Sequence, residues 1–147
     1  MAAARAQHVT EIIEPALIAG KIVVCDRFID STIAYQGYGR KLGPEKIKVL
    51  NEMAVNGAIP DLTIFLDVRP DIGYRRRSKA VKVKDRLDLQ QKEFYERVYK
   101  GYQEIAKQNG RRYQLIDASK SIEKVALEVW QIVKKVLDKN NGKKARK

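Results

Sequence analysis

An α/β fold built on a parallel sheet is predicted by the way apolar residues are spaced along this chain. Three short runs, residues 21–25, 62–68 and 112–116, are rich in branched or aromatic side chains, and an acid closes or follows each of them: Asp67 inside the second, Asp26 and Asp117 just after the others. Longer stretches with helical spacing separate the runs. Strands that alternate with helices need crossover connections, which makes neighbouring strands parallel and brings ligands to their carboxyl ends.

In chain order, residues 2–19 carry Val9, Ile12, Ile13, Ala16 and Leu17 at helical intervals, with Pro15 as an interior break and Gly20 as the stop. Residues 21–25 (Lys-Ile-Val-Val-Cys) read as a strand covered on both faces, so Cys25 is expected to be buried as a small apolar group. A helix is predicted over Pro44–Val55, then the strand 62–68, helices over 71–80 and 87–108, the strand 112–116, and a helix over 122–137. No internal repeat, long linker or domain boundary is visible, so one core is expected. Val9, Ile12 and Ile13 suit either that core or a contact with a second subunit.

Composition narrows the class. Thirty Lys and Arg against 18 Asp and Glu give 147 residues a formal net charge of +12, which favours polyanionic ligands. Much of the excess lies beyond residue 134, and residues 138–147 read as a flexible, solvated basic tail rather than as a nucleic-acid arm, since interleaved aromatics and any zinc, helix-turn-helix or RNA-recognition signature are absent. No apolar run approaches the ~18 residues that span a bilayer. Cys25 is the only cysteine and the N-terminus lacks a signal-peptide layout, so a reducing cytoplasm is expected. His8 is read as a packing or capping residue, and no metal-ligand spacing of Cys or His occurs.

Chemistry concentrates in residues 24–40, Val-Cys-Asp-Arg-Phe-Ile-Asp-Ser-Thr-Ile-Ala-Tyr-Gln-Gly-Tyr-Gly-Arg. Asp26 and Arg27 directly after a buried strand need partners. Arg27 offers a planar fork for phosphate, Asp26 a carboxylate for a hydrated magnesium ion, and the hydroxyls and amide downstream suit a base or sugar. A structural Asp26–Arg27 ion pair is the alternative. Arg75 to Lys84 is too basic and too poorly periodic for core.

The same stretch resembles the signature of thymidylate kinases: an apolar strand, Asp-Arg-aromatic, two residues, Ser, a small residue, one residue, then Ala-Tyr-Gln. The resemblance extends to residues 2–8, similar to a base-closing helix, to residues 60–68, similar to the fourth strand, and to Asp85-Arg86-Leu87-Asp88 with residues 94–98, similar to the lid edge and the helix after it. It implies a three-layer parallel sheet of the P-loop nucleoside-monophosphate kinase type and phosphorylation of dTMP by ATP with Mg2+. By that resemblance Arg27 grips the dTMP phosphate, Asp26 acts near magnesium through water, and Arg5 bonds the thymine edge. Ser31, Thr32, Tyr35 and Gln36 complete the pocket, with Tyr35 set against a 2′-hydroxyl. In the lid, residues 75–88, Arg77 and Arg86 reach the transferring phosphoryl group while Arg75, Arg76 and Lys79 face the donor; a solvated basic loop is the alternative. The family further implies a homodimer.

Residues 1–137 nevertheless depart from that pattern. The chain holds no Gly-x-x-x-x-Gly-Lys-Ser/Thr: Gly20-Lys21 is followed by Ile22 and Gly142-Lys143 by Lys144. The sheet is therefore expected to be incomplete at the N-terminus, with its central strand missing, and the activity of this chain to be impaired. Two other readings remain open on sequence: a non-catalytic remnant that binds dTMP or a partner protein, and a basic nucleic-acid-binding module.

Overall fold

Pro15 and Gly20 shape the first helical stretch as their chemistry demands. In the computed structural model, which describes residues 2–78 and 86–144 (backbone alone for 77–78, 86–90 and 140–144), helix α1 (Ala2–His8) runs through a π-helical turn (Val9–Ile13) into α2 (Glu14–Ile18). The wider turn lies directly before Pro15, whose nitrogen has no hydrogen to give to the preceding turn. Gly20 then takes φ +73°. Its N–H donates to the Leu17 carbonyl at 2.9 Å and Lys21 N–H to that of Ala16 at 3.0 Å, which is a Schellman closure.

Residues 21–25 form no strand. Only Val23 packs inward, while Ile22 is 69% and Val24 90% exposed and Cys25 is exposed as well, so the expected strand and the expected burial of Cys25 are both corrected. A strand exists through its ladder partner, and among the described residues nothing pairs with this run.

A second correction follows at once. Residues 29–39, given no regular structure by the sequence reading, are helical: α3 (Ile29–Thr32) leads into a second π-helical turn (Ile33–Gly39). Helix α4 (Pro44–Val55) matches the expected span, with Pro44 in its first turn and Asn56 left-handed at its end.

The chain packs as two compact units where one core was expected, Met1–Asp61 with Val83–Gln108, and Leu62–Lys82 with Asn109–Lys147. In the first, Val9, Ile13, Ile29 and Val55 form the core, with Val23, Phe28 and Ala58 against it. Val9 and Ile13 are thus core residues, whereas Ile12 is 58% exposed. Helix α6 (Arg86–Gln108) lies along the second π-helical turn. Its Gly101 is needed there, since a Cβ would sit 2.7 Å from Tyr38 Cγ.

In the second unit β1 (Thr63–Asp67) pairs in parallel with β2 (Tyr113–Asp117), Thr63 opposite Tyr113 and Asp67 opposite Asp117. The α/β class and the parallel sense hold, with two strands among the described residues rather than three. Helix α5 (Pro70–Ser78) follows β1, and α7 (Ile122–Lys144) packs on β2, where Tyr113 and Ile116 are buried. Helix α7 passes residue 137, the end set by its apolar period, and carries the backbone of the supposed tail as far as Lys144. Among the described residues no helix is long and apolar enough to cross a membrane.

Replacing Gly101 by Ala is expected to destabilise the chain by about 1–3 kcal/mol, because Tyr38 must move. Gly73→Ala, in α5 with open space at its Cβ, is expected to raise stability by up to about 1 kcal/mol. Urea denaturation followed by far-ultraviolet circular dichroism separates the two.

Candidate functional site

Helices α1, α3 and α4 of the first unit meet at one guanidinium. Arg5 Nη2 donates to Thr32 Oγ1 at 2.5 Å and Nη1 to Asn51 Oδ1 at 2.6 Å, with Phe28 beneath the cation at 5.6 Å. Asn51 is 4% exposed, and its Nδ2 donates to the Ile29 carbonyl at 3.0 Å, which fixes its amide so that Oδ1 must face Arg5. Burial pulls the Arg5 pKa below its ordinary value, though a guanidinium stays charged at any ordinary pH. Two of its five N–H donors are used in these bonds, so others remain for a ligand.

Two residues past the non-strand run, the chain turns with Arg27 in a left-handed conformation, φ +67°. A branched-free but bulky side chain there costs about 1–2 kcal/mol. The turn carries the Arg27 guanidinium over the Tyr35 ring, 4.2 Å from its centroid. Asp26 is exposed beside it, and neither residue makes an ion pair with any described residue, so the structural Asp26–Arg27 pair is not formed. Tyr35 is held edge-on by Phe94 (5.9 Å between centroids) and Tyr102 (6.5 Å), both from α6. Ser31, 8% exposed, shares a 2.7 Å hydrogen bond with the Tyr102 hydroxyl.

The residues expected to form an acceptor pocket, Arg5, Asp26, Arg27, Ser31, Thr32, Tyr35 and Gln36, therefore all fall within the first unit. Two members of this network escaped the sequence reading. Asn51 stands on the buried face of α4 with Ile47, Ala54 and Val55, and a polar residue in that stripe was the available signal. Tyr102 occupies the apolar face of α6 in step with Phe94 and Val98, where its hydroxyl gave no sign of its partner.

Of the arginines expected in a lid, Arg75, Arg76 and Arg77 belong to the second unit and Arg86 to the first. Arg75 pairs with Asp71 at 2.8 Å, and Arg76 donates to the carbonyls of Ala118 at 3.0 Å and Ser119 at 3.2 Å. That turn is further shaped by the Asp117 carboxylate, which accepts from Ser119 N at 2.9 Å and Oγ at 2.6 Å and is held below its usual pKa by those bonds. Arg77 lies in α5 and Arg86 opens α6, but their side chains, like all of Lys79, are outside the described residues.

Among the described residues no three His, Cys, Asp or Glu side chains gather as a metal site. Magnesium often keeps several waters and takes only one or two carboxylates besides substrate phosphates, so Asp26 alone fits a water-mediated contact and no more.

Residues 1–129 match the sequence profile of the family described as thymidylate kinase. The chain is similar to the thymidylate kinase of Staphylococcus epidermidis, 48% identical over 136 residues, 92% of this chain and 67% of that protein. It is likewise 48% identical to the thymidylate kinase of a Synechococcus species over 132 residues, 90% of this chain and 62% of that protein. In three dimensions it is similar to the crystal structure of thymidylate kinase from Ehrlichia chaffeensis, with a TM-score of 0.69, 38% identity, and coverage of 90% of this chain and 60% of that one. The chain thus spans 60 to 67% of the length of these relatives.

Asn51→Leu is expected to leave one Arg5 donor without its acceptor, at about 1–3 kcal/mol, while the Ile29 carbonyl keeps the Ile33 N–H. The loss is read as a lower urea midpoint at unchanged slope.

Proposed function

Since this chain belongs to the thymidylate kinase family, we propose that its first unit binds dTMP as the acceptor in phosphoryl transfer from ATP. The observation that supports this most is Arg27, placed by a strained turn over Tyr35 within the same helical unit as the Arg5 junction. Non-glycine residues kept in the left-handed region cluster where geometry serves a function.

In this reading Arg27 supplies a fork of N–H donors to the dTMP phosphate, and Arg5 gives its remaining donors to the carbonyl edge of thymine. Ser31, Thr32 and Gln36 line the base, and the Tyr35 ring fills the space that a ribose 2′-hydroxyl needs, which selects deoxynucleotides by exclusion. Phosphoryl transfer asks the protein mainly to align donor and acceptor and to meet charge on the equatorial oxygens. Magnesium, when bound, neutralises charge on the donor phosphates. Asp26 orients one of that ion's waters, while Arg77 and Arg86 approach the transferring group and Arg75, Arg76 and Lys79 the donor.

Turnover by this chain is low, because its 147 residues contain no glycine-rich Gly-Lys-Ser/Thr segment to cradle the donor. The enzyme is cytoplasmic and acts as a homodimer, to which Ile12, exposed on the first helical stretch, contributes.

Calorimetric titration of the chain with dTMP tests the acceptor role. Arg27→Met is expected to weaken binding roughly ten- to a hundredfold, the equivalent of about 1.5–3 kcal/mol for hydrogen bonds to a charged group. Equal dTMP affinity in both proteins refutes the reading.

A further inference from the structure

The cation at the centre of the first unit is held by neutral groups. Exposed Arg69 and Arg75 share the Asp71 carboxylate, at 3.1 and 2.8 Å. Half-buried Arg5 instead meets the Thr32 hydroxyl, the Asn51 amide and the face of Phe28, and no acid pairs with it among the described residues. A cation withdrawn from water is ordinarily matched by a carboxylate, because burial disfavours an unmatched charge more than any other group. Here no negative group offsets that effect, and burial draws the Arg5 pKa below its ordinary value.

Donors and acceptors at this junction are unambiguous. A guanidinium can only donate, so Asn51 Oδ1 and Thr32 Oγ1 both accept. Asn51 is 4% exposed and its Nδ2 donates to the Ile29 carbonyl at 3.0 Å, so the amide cannot turn over without setting a donor against a donor. Each terminal nitrogen of Arg5 thus gives one hydrogen to an acceptor on a different helix, and the plane of the guanidinium is fixed at two points while its other N–H groups stay available. A carboxylate in place of the amide would hold Arg5 as closely, but it would cancel the charge and set an oxygen against the Ile29 carbonyl.

We propose that Asn51 is a positioning residue that aims Arg5 without neutralising it, so that the remaining N–H groups of Arg5 reach a carbonyl oxygen of the acceptor base as charged donors. This rests on the acceptor-nucleotide reading above, in which Arg5 faces the carbonyl edge of thymine. A hydrogen bond from an ionised donor is roughly twice as strong as one between neutral groups, and an amide at position 51 preserves that difference.

Calorimetry on the full chain with dTMP, and with deoxyribose 5-phosphate as the same ligand without its base, tests the role. Asn51→Asp keeps an acceptor for Arg5 and is expected to lower dTMP affinity about tenfold while deoxyribose 5-phosphate affinity stays within about twofold. Loss of both by the same factor, the mark of general repulsion of an anion or of a disturbed fold, overturns the proposal, as does unchanged dTMP affinity. Thermal melting shows which variants are folded at the titration temperature. A second comparison, free of any buried carboxylate, decides independently. Asn51→Leu is expected to weaken dTMP binding about fivefold in the wild-type background and to have no further effect in an Arg5→Met background, because Asn51 acts through Arg5. Equal losses in the two backgrounds overturn the proposal. Failure of wild type to bind dTMP in an Arg27-dependent way strikes instead at the nucleotide reading itself.

Discussion

A half-buried guanidinium governs how the first unit is assembled. A cation withdrawn from water must be met by acceptors of good geometry, and Arg5 finds them in Thr32 of α3 and Asn51 of α4, residues 27 and 46 positions away. Asn51 can serve only because its amide nitrogen is already committed to the Ile29 carbonyl. The tie therefore fixes α1, α3 and α4 against one another through directional bonds, while the Val9, Ile13, Ile29 and Val55 cluster supplies the non-directional burial. Apolar packing alone tolerates sliding; these bonds do not. The orientation of every side chain on α3, Ser31 and Thr32 included, follows from that fixed relation.

The sequence revealed most where periodicity is local. Pro44–Val55 announced itself by a proline at its start and an apolar stripe, and the strands around Phe65 and Leu115 by short apolar runs between turn residues. It misled where structure depends on a distant partner. Residues 21–25 have every strand propensity, but a ladder needs a second backbone, and here only Val23 is drawn inward. Glycine serves packing here as well: Gly37 and Gly39 sit in a π-helical turn, and a Cβ on Gly39 would lie 2.7 Å from both Phe94 and Val98. Within the site, the charged residues of 26–36 were legible as a cluster. The residues that orient them, Asn51 and Tyr102, were not, since nothing local tells which polar group on an apolar face has found a partner dozens of residues away.

In the second unit the same limit applies to charge. A basic run after β1 is plain in the sequence, but the assignment of its members is not. Arg75 is held by Asp71 one helical turn back, and Arg76 closes the turn after β2 by taking two backbone carbonyls. The bonds to Ala118 and Ser119 tie the Arg76 guanidinium to the strand end and occupy two of its five N–H donors. Basic clusters thus divide into structural and available cations only once acceptors are known, and a net charge of +12 counts both kinds alike.

Arg27 shows how strain and stacking can be set against each other. Its left-handed backbone costs about 1–2 kcal/mol, while a cation over an aromatic face returns about 0.5–2 kcal/mol depending on desolvation. The two terms are of one size, so the turn is neither a deep well nor a broken one. Tyr35 in turn is braced by Phe94 and Tyr102, so the ring cannot easily follow if the guanidinium swings. A nearly balanced arginine on a braced ring is a cation whose direction can change at small energetic cost while its position is kept, and an anion that meets it has to reorganise one side chain rather than a loop.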